Sequence, residues 1–111
     1  MKNVMEIEGR KAVVVYDPEI GMFRGEFLGL SGGADFYGDG VEALKREGKI
    51  SLDVYLDMCR ARNIEPFREF SGKFNVRLSP NLHEAAVVAA AAAGESLNAW
   101  VAQAIEAAAA E

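Results

Sequence analysis

Cysteine and histidine are almost missing from this chain of 111 residues, with one of each, Cys59 and His83. That excludes an internal disulfide and leaves no ligand set for a structural zinc site. No apolar run approaches the roughly 18 residues of a membrane span, and the N-terminus shows no charged-then-apolar leader pattern. A cytoplasmic protein with no membrane partner is the expectation. Positive charge is also short: 12 Lys and Arg stand against 17 Asp and Glu, for a net charge of −5. Bulk attraction to phosphates cannot carry nucleic-acid binding here, so any such binding rests on local geometry.

What is present is clearest near the C-terminus. From Lys73 to Leu78 the residues alternate, with Phe74, Val76 and Leu78 on one face of a strand and Lys73, Asn75 and Arg77 on the other. Ser79 and Pro80 then stop the strand and start a helix over 81–93, with Ser79 as cap and Pro80 at the first helical position. Gly94 is placed to end that helix in a left-handed turn, and Ser96 to cap a second helix whose apolar stripe is Leu97, Trp100, Val101, Ala104, Ile105 and Ala108. About forty residues with one strand bury too little to fold alone. A second copy pairing antiparallel along the strand is the obvious completion.

Such an intertwined dimer turns Phe74, Val76 and Leu78 inward, onto a core shared with Trp100, Val101 and Ile105. Lys73, Asn75 and Arg77 of both chains then face outward on a two-stranded ribbon of the size that enters the major groove. Arg and Lys donate to guanine, and Asn pairs with adenine. Ser96, Leu97 and Asn98 open the second helix with backbone amides suited to a DNA phosphate. The strand, the S-P start, the Gly turn and the S-L-N opening together resemble a ribbon-helix-helix DNA-binding domain. Assembly beyond the dimer, into a tetramer or larger, would compensate for the acidic balance of the segment.

The remaining residues form a separate module. Periodicity breaks over 64–72, dividing the chain into 1–70 and 71–111. Lys11 to Tyr16 reads as a strand, 17–21 as a turn, Met22 to Leu30 as the hairpin partner and Ala34 to Tyr37 as a third strand. A helix then runs from beyond Asp39-Gly40 to about Arg62, burying Val41, Leu44, Gly48, Leu52, Tyr55 and Cys59. Gly48 either breaks this helix or lets it approach the sheet closely. The fold class is α+β: a three- to four-stranded antiparallel sheet with one helix, the fourth strand falling near 66–70, joined to the C-terminal strand-helix-helix.

The runs YDPEIGMFRGEFLGL, FYGDGVEAL, LDVYLDMC, Glu65-Pro66 and SGKFNVRLSPNLH, in that order, resemble HicB-type antitoxins of bacteria from about Glu8 to Ile105. The resemblance implies a truncated ribonuclease-H-like sheet that binds and blocks a HicA-like ribonuclease toxin, and a C-terminal dimer that binds operator DNA and represses the operon encoding both. It differs from the family pattern in its alanine-rich final helices and in Gly40 and Gly48. A toxin-binding surface would combine aromatic groups with carboxylates, for which Glu19, Phe23, Glu26, Asp35, Phe36 and Tyr37 are the candidates, on either sheet face.

A ribonuclease-H-like sheet also raises the question of nuclease activity, with Asp17, Glu19, Asp35 and Asp39 as the available carboxylates. Plainer roles account for two of them: Asp17 bonds its own turn and Asp39 caps the helix. No catalytic residue, metal or cofactor is therefore assigned, and the expectation is a non-enzyme. The alternative is a ribbon-helix-helix transcriptional regulator whose N-terminal module senses a ligand or a protein, with no toxin.

Overall fold

The structure is a computed structural model describing residues 2–110; the outermost residues of the two expected modules, Met1 and Glu111, lie outside the described residues. The chain divides into two compact units, Asn3–Ser71 and Gly72 onward.

The first unit is a four-stranded antiparallel sheet in the order β1 (Val4–Ile7), β2 (Arg10–Asp17), β3 (Met22–Phe27), β4 (Asp35–Gly38), followed by one helix, α1 (Val41–Ala61). β1 was not foreseen. It is joined to β2 by a two-residue hairpin in which Glu8 and Gly9 both adopt positive φ, 51° and 76°, the turn whose twist matches paired strands. β3 ends at Phe27 rather than Leu30, because Gly29 takes φ 76° and turns the chain. Leu30 is then buried and forms an isolated bridge to Phe67. That bridge is all that forms of the strand expected near 66–70. Pro66 has no N–H to give, and its carbonyl accepts from Ser31 N and the Tyr55 hydroxyl, at 2.9 and 2.8 Å.

Register fixes the two faces of the sheet. Met5, Ala12 and Phe27 form one inner row, with Val14, Gly25 and Phe36 beside it. α1 covers this face with Leu44, Gly48, Leu52, Tyr55 and Cys59, all buried as the spacing predicts. Val41 stays exposed in the first turn. The helix does not break at Gly48: a Cβ there would collide with Ile7 and meet Phe36 Cε2 at 3.1 Å, so the glycine allows the close approach. The helix cap is Gly40, with no side-chain bond, and not Asp39 as expected. The extended backbone at Gly40 puts the cap one residue later.

The second unit contains α2 (Pro80–Ala92) and α3 (Leu97–Ala109). Ser79 Oγ accepts from Leu82 N at 3.2 Å and Ser96 Oγ from Ala99 N at 3.1 Å, both as expected of N-caps. Gly94 has φ 70° in the turn between them. Ala86 and Ala90 are the buried residues here, while Leu82, Val87, Val88 and Ile105 are exposed. Residues 73–78 belong to neither helix and form no strand; all six are exposed. A β-strand is defined by the ladder it makes with a neighbour, and the four-stranded sheet does not include this segment. No single helix among the described residues is long and apolar enough to cross a membrane; α2 and α3 are apolar enough together but bend by 102° at their junction.

Candidate nucleic-acid interface and partner surface

In the C-terminal unit the exposed segment carries its apolar side chains uncovered: Phe74 is 72% exposed, Val76 60% and Leu78 43%. They border an open groove of about 670 Å³ whose other wall is Leu97, Val101 and Ile105 of α3. Lys73, Asn75, His83 and Asn98 border it too. Phe74, Val76 and Leu78 thus border one groove with Leu97, Val101 and Ile105 of the α3 stripe, while Trp100 is not among its lining residues. Trp100 and Val101 are half-buried, on a helix with no fully buried residue. So much exposed apolar surface in one small unit marks an interaction site. The polar set, Lys73, Asn75 and Arg77, is exposed throughout. Ser96 is occupied by capping α3, through Ala99 N, and the amides of Leu97 and Asn98 in the first turn have no acceptor within the helix.

In the N-terminal unit the candidate toxin contacts separate by face. Glu26 and Asp35 pair across β3 and β4 on the outer face, in a row with Val13 and Val4; Tyr37 lies beside them, paired with Arg24 and, through it, in line with Val15. All three candidates are exposed. Phe36 lies on the other face, 3% exposed, inside the core against Phe27 at 5.0 Å between ring centroids. It is not available to a partner in this fold. Phe23 is half-buried on the same inner face, edge-on to Tyr16 at 5.3 Å. Glu19 is exposed in the β2–β3 turn, its N–H donating to Asp17 Oδ1 at 3.0 Å, the local bond expected of Asp17.

Arg24 escaped the sequence reading. Its Nη2 lies 2.6 Å from Asp35 Oδ2 and 4.0 Å from Glu26 Oε2. The hydrogen bond and charge of Asp35 hold the guanidinium pKa above its ordinary value. Alternation shows that Arg24 and Asp35 are both polar, but only the β3–β4 register makes them diagonal neighbours. The outer face carries Glu6, Asp17, Glu26 and Asp35 against Lys11 and Arg24, an acidic excess, with Val15 and Tyr37 exposed among them. Among the described residues, no group of three or more His, Cys, Asp or Glu is placed to hold a metal ion.

The family model of the HicB family matches residues 55–105. The match supports membership of that family. It spans the end of α1, the exposed segment 73–78, α2 and most of α3, and leaves the sheet outside. HicB proteins are usually antitoxins rather than enzymes. No curated protein and no solved structure matches the chain.

Proposed function

We propose that this HicB-type chain is the antitoxin of a toxin-antitoxin pair, neutralising a HicA-like, RNA-cleaving toxin with its N-terminal unit and repressing its own operon with its C-terminal unit. The observation that carries the proposal is the segment 73–78, an exposed alternating run inside the span that matches the family. Two copies pair antiparallel along it, which supplies the missing ladder and closes both apolar grooves. Phe74, Val76, Leu78, Trp100, Val101 and Ile105 become the shared core. The ribbon then presents Lys73, Asn75 and Arg77 twice to the major groove, while the opening of α3 at Ser96, Leu97 and Asn98 holds a phosphate.

For the toxin, the acidic outer sheet face is the favoured surface, because α1 occupies the inner one. Glu26 and Asp35 meet a basic RNA-binding surface, and Tyr37 and Val15 supply apolar contact. Phe23 and Phe36 act behind this face by shaping the sheet.

The DNA arm is tested by titrating the DNA upstream of the gene with the protein and with Arg77→Ala. One lost bidentate base contact is worth about 1–3 kcal/mol, or roughly five- to 150-fold in affinity. Unchanged affinity sinks the ribbon assignment.

A further inference from the structure

Arg24 is a cation in the middle of an acidic face. Register sets it directly between Val15 of β2 and Tyr37 of β4, so the three side chains form one row across the outer side of the sheet. Val15 and Tyr37 are 60% and 44% exposed. Neighbouring strands lie about 4.8 Å apart, so a partner that touches both covers a span of roughly 10 Å with Arg24 at its centre. No docking onto this row avoids the guanidinium.

Beside the row, the same register sets Glu26 directly opposite Asp35. Like charges so placed repel, and Arg24 relieves them unevenly. Its Nε and Nη2 both donate to Asp35 Oδ2, at 3.2 and 2.6 Å, while Glu26 Oε2 stays 4.0 Å away with no hydrogen bond. A guanidinium has five N–H donors, so most of them are left over for solvent, and the side chain is 45% exposed. Lys11, the other cation of this face, lies across from Glu6 near the far end of β2, away from the row.

Burial under a partner takes water from the free donors of Arg24, and a charged donor left without an acceptor is costly. A lysine or arginine of the partner set against it adds repulsion. A carboxylate removes both costs, because its two oxygens match the planar fork. The acidic face as a whole attracts any basic surface. The centre of its apolar row fits only one that carries an acid at that point.

We propose that Arg24 is a specificity-determining residue of the outer face, admitting a basic partner only where a carboxylate of that partner meets the guanidinium. The proposal rests on the outer-face reading given above and adds to it what the toxin must present. Asp35 acts as a positioning residue, holding the fork through Oδ2 while its Oδ1 and Glu26 remain for the partner's cations. Selectivity then comes from a repulsive group as much as from attractive ones.

The test compares two ligands on the full chain by calorimetric titration at low ionic strength. One is the toxin encoded beside this gene; the other is an amidated oligolysine peptide, which is basic and carries no carboxylate. Arg24→Met weakens toxin binding by about tenfold or more, as loss of a central arginine does. It tightens oligolysine binding by about two- to fivefold, the scale of one exposed charge pair. Lys11→Met removes the same charge away from the row and tightens both. Arg24→Lys keeps the charge and loses the fork, so toxin binding weakens while oligolysine binding stays. An exposed ion pair adds little stability, and the tyrosine-detected urea midpoint confirms that each variant folds. Toxin affinity left unchanged or raised by Arg24→Met overturns the proposal, as does a loss of both ligands together. If Glu26→Lys and Tyr37→Ala also leave toxin affinity intact, the outer-face reading has failed and the proposal with it. If they weaken it and Arg24→Met does not, the reading stands and only the role of Arg24 is refuted.

Discussion

Replacing Gly25 by alanine tests how the sheet and α1 are held together. The Phe36 ring is clamped between two glycines: a Cβ on Gly25 would fall onto the ring, with Cε1 at 2.7 Å and two further ring atoms closer, while from the helix side a Cβ on Gly48 would meet the same ring at 3.1 Å. With Phe27 also against it and only 3% of Phe36 exposed, the ring has no room to retreat. Overpacking of a filled core costs about 1–3 kcal/mol, and a glycine-to-alanine change within a strand returns roughly 0.5–1 kcal/mol. The net expectation is a loss of about 1–2 kcal/mol. The two units can be read separately, because Tyr16, Tyr37 and Tyr55 all lie in the first and Trp100 in the second. For a unit of this size the urea slope is about 1 kcal/mol/M, so the tyrosine transition of Gly25→Ala moves down by about 1–2 M while the tryptophan transition stays in place. In a Phe36→Leu background the same change costs less, since the colliding ring is gone. An unmoved tyrosine midpoint, or an equal loss with leucine at position 36, refutes the clamp.

Tyr55→Phe removes a hydroxyl that donates to Pro66 O at 2.8 Å and accepts from Gly32 N at 3.0 Å. Two partly buried backbone groups lose a partner, and tyrosine-detected urea unfolding of the first unit shows a loss of about 1–3 kcal/mol. Ser79→Ala and Ser96→Ala each cost about 1 kcal/mol by loss of an N-cap, visible in the tryptophan transition, and Ser96→Ala also weakens DNA binding where Ser79→Ala does so less. Tyr37→Ala and Glu26→Lys on the outer sheet face weaken toxin binding in a calorimetric titration by about tenfold or more while leaving DNA affinity unchanged; the same changes leaving toxin affinity intact remove the outer face as the contact surface.

The elements with local signals were legible in the sequence. Ser79, Pro80, Gly94 and Ser96 mark their helix ends by hydrogen-bonding chemistry that needs no tertiary context, and the structure agrees with them. The buried stripe of α1 was nearly as plain, because helical spacing selects Leu44, Gly48, Leu52, Tyr55 and Cys59, although it also selects Val41, which the first turn leaves exposed. β1 was missed: four residues give little periodicity, and the Glu8-Gly9 turn is a weaker hairpin signal than Asn-Gly. Alternation could not say which face of the sheet α1 would cover, so Phe36 and Tyr37, neighbours in sequence, were grouped although one is core and the other exposed. The ion pair of Arg24 with Asp35 depends on the register of β3 against β4, a long-range property.

The claim that this chain is an antitoxin is tested most directly in its own host. The small open reading frame adjoining its gene is induced with and without this protein, while growth is followed and complexes are recovered by pull-down. The account predicts growth arrest that this chain relieves, together with a stable complex of the two proteins. No arrest and no complex would contradict it, and would favour a regulator whose N-terminal sheet answers to another ligand.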